Sequence, residues 1–582
     1  MAERIERIDS IPLIVHWLLK MRVHEIIDGI YTPHTNWEGL SYGKLAVLYL
    51  TYVLYSLTHR LSGMESWLNK HKTVIQEVTG WKIGEKEATD DRLARMVEVF
   101  GEDEEKGEKF QVQSGQHYIN AYALPTEIGR YDTTSFNVFH KPNDSKDGLL
   151  QYGHSKNYRP DLLQFKQGLG TLDPAGIPLI TETINGNKAD DRCYVPAWRR
   201  MSETIGHTQF LYIADCKAAS LETRSTIDIE NGFYLFPLPM TGNTPKDLKD
   251  LVLNPPEDPQ EIILEPRVAD KEDKPRKVGI GFVVEKQMEA PMEDSISHKW
   301  PERWMVSRSD SHAARQKKAF KKRLAKAEEK LNHLKPKKDE SADKFLARAQ
   351  KILKGKKLED TVSVKVKETI THKKKYKGRG RPGPKTPFTM IEIRHLELSI
   401  QKNESAINQH LSLAGWRIYV TNVSSDRMSL TQSTQYYRNE WLVERGFHRF
   451  KNGSLPALPL FLRLPNRIKG LMMLLTVALQ ALTLIEFVAR RELDNRNEEI
   501  AGLVPGNPKM KTKRPTAERL LSQFDNIHLL IEENESHSTG LLIEELNPLQ
   551  CLILSMLQIP ASIYNLNFDR KKSVTQLKTS ET

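Results

Sequence analysis

The spacing of apolar positions changes several times along the 582-residue chain. Residues 1–100 carry helical spacing. Tyr42–Leu57 (YGKLAVLYLTYVLYSL) is a long apolar run opened by Gly39 and Ser41, and Met64–Leu68 and Asp90–Val99 add shorter helical patterns. Between 115 and 240 the pattern shortens. Ala123–Phe139 and Phe165–Ile184 are strand-rich, and Leu172-Asp173-Pro174-Ala175-Gly176 predicts a hairpin turn. A helix over Val195–Ile205 follows, then Phe210–Ala214 (FLYIA), a wholly apolar run suited to a buried strand. Leu221–Ile229 reads as helix and Gly232–Leu238 (GFYLFPL) as strand. Strands alternating with helices in this way predict an α/β fold with one central sheet.

Residues 241–410 interrupt that pattern. A Pro-rich acidic stretch, Asn254–Pro266, precedes two Ala/Lys/Glu-rich segments, Lys317–Leu334 and Ser341–Leu353, which predict a helical hairpin around Pro336. Thr371–Pro387, rich in Gly, Pro, Lys and Arg, is expected to hold no regular element. The α/β pattern resumes with a strand over Gly415–Val423 and one long helix over Leu430–Lys451. The C-terminal third reads as helical, with Leu520–Ile531 and Leu549–Leu557 as later helices. Gly470–Ala489 has the length and apolar character of a membrane span, but it encloses Gln480 and Glu486 and no second such segment exists, so it reads as a buried helix. The expected plan is a helical domain over 1–114, core segments over 115–240 and 411–495 around an insertion at 241–410, and a helical region over 496–582.

Composition narrows the partners. Three cysteines, Cys193, Cys216 and Cys551, exclude a disulfide framework and a Cys-based zinc site, and fit a reducing compartment. The first twenty residues alternate charged and apolar positions and lack the uninterrupted apolar core of a secretory signal. Lys and Arg number 86 against 75 Asp and Glu, a net of +11. From Lys299 to Lys385 there are 29 basic and 10 acidic residues, a net of +19 within 87 residues, so the other 495 sum to −8. A mildly acidic protein therefore carries one intensely basic insert. Such density marks either a polyanion-binding surface or a solvated helical hairpin.

Three carboxylates stand where an α/β core places chemistry. Asp132 lies in the strand GRYDTTSFNVF, Asp215 follows FLYIA at a strand's C-terminal end, and Glu444 lies in the helix YYRNEWLVERGFHRFK. Oxygen-only ligands suit Mg²⁺ or Mn²⁺, and two such ions would activate a water or a 3′-hydroxyl in phosphodiester transfer. On one continuous helix, Tyr437, Glu444 and Lys451 at intervals of seven share a face, with His448 at i+4 from Glu444. Each acid alone reads equally as a solvated or structural carboxylate; the helical row is what gives the set its weight.

Tyr437, Glu444 and Lys451 resemble the Y-(2)-R-(3)-E-(6)-K signature of DDE transposases of bacterial insertion sequences, the insertion-sequence-four group and its close relatives. YDTTSF around Asp132 and YIADCKAAS around Asp215 resemble the same enzymes' first and second Asp blocks, and GHSKNYRPDLLQF (Gly153–Phe165) is similar to a segment of one branch. The resemblance spans about residues 1–570 and implies an RNase H-like mixed-sheet catalytic core interrupted by a large basic insertion, with helical N- and C-terminal regions. It implies cleavage at transposon ends and transfer of the 3′-OH to target DNA. Asp132, Asp215 and Glu444 would hold two Mg²⁺ (or Mn²⁺) ions, Lys451 would contact a phosphate, and Tyr437 would pack against the DNA end or support the helix. It also implies terminal inverted repeats and target DNA as partners, a homodimer in the DNA complex and a bacterial cytoplasmic location, nucleoid-associated when bound.

The chain departs from the signature at one place. The signature's Arg falls on Glu440, and Arg438 lies two residues earlier. Glu440 is thus an outer ligand or an alternative third carboxylate, and Arg438 a candidate DNA contact in place of the missing Arg. Asp190 and Asp191 compete with Asp215, which is preferred because a strand end fixes its position. In the insert, Lys373, Lys374, Lys375, Arg379 and Arg381 are candidate DNA contacts. Arg379-Gly380-Arg381-Pro382 looks like an AT-hook core, which reads either as a minor-groove binder or as a flexible non-specific tether. Trp300 and Trp304, flanking the basic run, read either as base-stacking platforms or as local packing.

Overall fold

The computed structural model describes residues 2–142, 148–155, 158–265, 274–291, 297–377, 379–533, 537–566 and 568–571. Pro266, residues 156 and 157 of the Gly153–Phe165 segment, and Gly378 beside the hook-like sequence lie outside them. The chain divides into two compact units: Met1–Pro237 with Lys286–Glu302 and Val420–Thr582, and Leu238–Glu285 with Arg303–Tyr419.

In the first unit, helices α1 (Tyr42–Ser56), α2 (Asp90–Glu102) and α3 (Glu104–Tyr122) precede the central sheet. Ser41 starts α1 by accepting from the Lys44 amide, and Asp103 starts α3 by accepting from the Lys106 amide. The sheet contains β1 (Ile128–Val138), β2 (Leu163–Leu172), β3 (Ile177–Asn185), β4 (Leu211–Ala214) and β5 (Phe233–Pro237). β1, β2 and β3 form an antiparallel meander, while β4 pairs parallel with both β1 and β5. The order of these five strands within a nine-stranded sheet is therefore β3-β2-β1-β4-β5, a mixed sheet consistent with an RNase H-like core. Helices α4 (Tyr194–Ile205) and α5 (Leu221–Ile229) supply the crossovers that parallel pairing requires.

Two helices then carry the site. The sequence predicts one helix over Leu430–Lys451; the chain instead forms α6 (Leu430–Arg438) and α7 (Trp441–Asn452), separated at Asn439 and Glu440. The break has a local cause and a distant one. Asn439 is a poor helix former. The Tyr436 carbonyl accepts from Arg130 Nη2 at 2.7 Å and from the Asn439 amide at 3.2 Å, so the backbone tightens to i→i+3 bonds there. Arg130 is held for that task by a bidentate pair with Asp173 at 2.6 and 2.7 Å.

Helix α8 (Pro465–Arg496) is the membrane-like segment, and every residue from Gly470 to Ala489 is buried in the protein. A helix apolar on all sides needs neighbours on all sides. Gly470 lets the α2 backbone approach so closely that a Cβ there would sit 1.8 Å from the Val97 carbonyl oxygen. Gln480 Nε2 donates to the Pro178 carbonyl of β3 at 3.0 Å, so the amide nitrogen of this buried polar residue is bonded within the protein.

The ends of the unit depart from the all-helical reading. Ala2–Arg7 and His528–Glu533 pair antiparallel, and His537–Leu542 and Phe568–Lys571 complete a four-stranded sheet. Leu520–Ile531 is thus not one helix: a short helix at Ala517–Leu521 gives way to strand, because Leu529 and Ile531 alternate into the core at period two. Trp300 is buried and donates to the Tyr234 hydroxyl at 2.9 Å, which decides for packing over base stacking there.

In the second unit the predicted helical hairpin appears as Asp310–Asn332 and Ala342–Lys354. Trp304, at its edge, is buried as well. The expectation of irregular structure over Thr371–Pro387 is corrected. Val362–Tyr376 and Phe388–Lys402 form an antiparallel ribbon of fifteen residues per strand. The reason is the alternation of Val362, Val364 and Val366 against Leu398 and Ile400. Val362, Val364, Leu398 and Ile400 seat the ribbon's base on a core with Phe320, Leu331 and Leu353, and strand pairing then continues outward through the lysines.

Candidate active site

The parallel register builds the site. Tyr131 of β1 is level with Ala214 of β4, whose backbones lie about 4.8 Å apart, so Asp132 in β1 and Asp215 just past the end of β4 are the next residues along neighbouring chains. Asp132 Oδ1 accepts from the Thr133 amide at 2.7 Å. Asp215 leaves the strand in extended conformation and caps the short turn after it, accepting from the Lys217 amide at 3.0 Å. Its Oδ1 also accepts from the Tyr194 hydroxyl at 2.5 Å. Burial and the neighbouring Asp215 and Asp132 push the Tyr194 hydroxyl far above its usual range, so it serves Asp215 only as a donor. Tyr194 has no motif signature, and the sequence reading missed it.

Helix α7 approaches from the other side. Gly446 packs against Leu479 of α8 and Leu169 of β2, where a Cβ would stand 3.1 and 3.5 Å from their methyl groups. Lys451 Nζ reaches Thr134 of β1 at 2.6 Å and lies 5.3 Å from the Phe136 ring centre. Glu444 and His448, at i and i+4, are exposed on this helix. Tyr437 and Arg438 belong to α6, so the heptad row is corrected: only Glu444, His448 and Lys451 share a helix.

Glu440 sits at the break, in the position of the signature's Arg. Burial raises its carboxyl to about 7, and the charges of Asp132, Glu444 and Asp215 add to the rise, with a hydrogen bond from Tyr437 opposing it. Glu440 thus sits within the field of three other carboxylates, an electrostatic condition that a divalent cation relieves. Among the described residues no three acid, His or Cys side chains form a ready-made metal cage. Mg²⁺ does not require one, since it is commonly held by one or two carboxylates with waters and substrate phosphates. The all-oxygen donor set of Asp132, Asp215 and Glu444 fits that mode.

Asp190 is otherwise engaged. It is buried and takes Lys166 Nζ at 2.6 Å and Lys217 Nζ at 2.5 Å. Burial pushes its carboxyl up, and the two ammonium groups outweigh that and hold it below the ordinary value. Behind α7, Arg445 and Arg449 point away from Glu444 to the buried Glu486 of α8, Arg449 at 2.5 Å. Arg490 joins the same carboxylate at 3.1 Å, and Arg449 also pairs with Glu518 at 2.9 Å. An acid inside an otherwise apolar run was the visible signal for this network.

A mixed sheet that places Asp132 and Asp215 at neighbouring positions, with the Glu444 helix bonded back to it through Lys451 and Thr134, is consistent with an RNase H-like core. The family model of the transposase DDE domain matches residues 126–480, and the chain belongs to that family. Members of this family act on DNA and generally use divalent metal ions. No curated protein matches the chain.

Proposed function

We propose that the protein binds the ends of its own insertion sequence, cleaves phosphodiester bonds there and transfers the freed 3′-OH ends to target DNA. One observation carries the reading: the register that sets Asp132 beside Asp215, with the Glu444 helix bonded back to the same strand through Lys451 and Thr134. In this reading Asp132, Asp215 and Glu444 hold two Mg²⁺ or Mn²⁺ ions. When bound, such ions supply charge stabilisation to the attacking and leaving oxygens. The chain's own residues do the placing. Tyr194 fixes one Asp215 oxygen, Arg130 sets the break that turns α7, and Glu444 projects from that helix into solvent where a phosphodiester can reach it. Lys451, Arg438 and His448 are the cationic and polar groups next to that position, with Tyr437 bracing Glu440. Lys373, Lys375, Arg379 and Arg381 hold the duplex. The working form is a homodimer on two terminal repeats, in the bacterial cytoplasm.

The test mixes the purified full chain with Mg²⁺ and DNA carrying the terminal inverted repeats that flank its gene. Strand-transfer products that vanish in Asp132→Asn and Glu444→Gln are expected. Binding without cleavage would make the protein a repressor with a silent core, and cutting without joining would make it a nuclease.

A further inference from the structure

The ribbon's two faces differ in how their charges are used. Side chains alternate along each strand, and residues paired across the ribbon share a face. One face carries Lys374, Arg394 and Lys402, and each is engaged within the protein. Lys374 lies over the Phe388 ring at 4.5 Å, Arg394 pairs with Glu368 at 3.7 Å and Lys402 with Glu328 at 2.6 Å. The base of this face also packs on the helical core through Val362, Val364, Leu398 and Ile400.

The opposite face carries Lys365, Lys367, Lys373, Lys375 and Lys377, all from one strand and its end, with Thr369 and Thr371 between them. All five lysines are exposed, and none has an ion pair among the described residues. Glu397, across from Lys367, is the only acid on this face, so five lysines against one acid leave +4. Same-face neighbours recur about every 7 Å, and Lys365 to Lys377 spans roughly 40 Å, slightly more than one duplex turn of 34–36 Å. Among the described residues, the unit's apolar core takes its ribbon side chains from the other face.

We infer that this lysine face is a duplex-DNA docking surface, on which the ribbon lies in the major groove and its lysine strand follows the phosphates. The major groove admits a two-stranded ribbon, and such ribbons carry a strong right-handed twist. Lys365 and Lys367 are thereby assigned to DNA, and Lys374 is reassigned to packing. The turn that bears Arg379 and Arg381 is closed at its base by the Lys377 amide donating to the Pro387 carbonyl at 2.8 Å. It therefore follows the ribbon rather than acting as a free hook. The inference rests on the transposase reading only in taking DNA as the partner.

The test compares two double variants of the full chain that each remove two positive charges from the same stretch of ribbon. Lys365→Gln with Lys367→Gln should lower affinity for a duplex lacking the terminal repeats, and reduce the slope of log affinity against log salt by about two. Arg394→Gln with Lys402→Gln should leave the slope unchanged. Equal losses in both pairs would mean that only net charge matters and would overturn the facial assignment, as would no loss in either. A duplex RNA competing as well as DNA would also overturn it, because the narrow RNA major groove excludes a ribbon. Intact binding slopes with catalysis still lost in Asp132→Asn would sink this proposal and leave the transposase reading standing. Normal slope effects with no cleavage in the native chain would do the reverse.

Discussion

Arg449 donates to Glu486 at 2.5 Å across the α7–α8 interface, one turn beyond the residue that faces the site. Glu486 is fully buried and also accepts from the Ala517 amide at 3.2 Å, so one carboxylate joins α7, α8 and the C-terminal segment. A buried charge held by three guanidiniums stands in the fold only as a set.

Glu486→Ala should therefore destabilise the protein by about 3–5 kcal/mol, since it takes from Arg445 its carboxylate partner and leaves Arg449 with Glu518 alone. Urea unfolding followed by tryptophan fluorescence measures the loss. A variant within about 1 kcal/mol of the native protein would show that the arginines find other partners.

Arg130 should behave similarly for a different reason. Asp173→Asn leaves its guanidinium buried with one strong partner fewer, and loosens the contact to the Tyr436 carbonyl that breaks the helix. A destabilisation of about 3 kcal/mol is expected, together with a loss of cleavage while DNA affinity stays within a few-fold. Gel-shift and cleavage assays on one preparation separate the two effects.

Tyr194→Phe removes the hydroxyl that holds one Asp215 oxygen and nothing else. By analogy with outer hydrogen bonds to metal ligands, it should raise the Mn²⁺ concentration needed for half-maximal cleavage by roughly 10–100-fold. Titrating Mn²⁺ in the cleavage assay checks this, and an unchanged midpoint would remove Tyr194 from the site.

Glu440 gives a pH dependence with a definite sign. Its carboxyl is raised from the ordinary value of 4.5 to about 7 in the fold, so its contribution to stability is fully present below about 4.5 and is lost as pH rises through about 7. In EDTA, the melting temperature should fall between pH 5 and 8, and Glu440→Gln should flatten that fall. Mg²⁺ should stabilise the native chain more at pH 8 than at pH 5.5, because the ionised carboxylates then welcome a cation.

Much of this core was legible because its signals are local. FLYIA is apolar throughout and became β4, the Asp-Pro-Ala-Gly turn joined β2 to β3, and Gln480 and Glu486 marked α8 as internal. What escaped depends on partners far away in sequence. The break between α6 and α7 is set by Arg130, 306 residues upstream of Tyr436. The ribbon was hidden differently: Lys365, Lys367, Lys373 and Lys375 occupy alternate strand positions, where a count of composition sees a charged linker and the period of two goes unnoticed.

The pairing of Ala2–Arg7 with His528–Glu533 also bears on how the protein comes into being. At about 5–20 residues per second, roughly half a minute or more of synthesis separates one strand from its partner. Throughout that interval the early strand offers an unpaired edge, and α8, which α2 needs to cover its face, is itself made late. The catalytic unit therefore cannot be finished from the front of the chain. A ribosome that stalls within the basic segment would release a product with both Asp132 and Asp215 but without the helix of Glu444, and with open hydrophobic surface for chaperones or proteases to find.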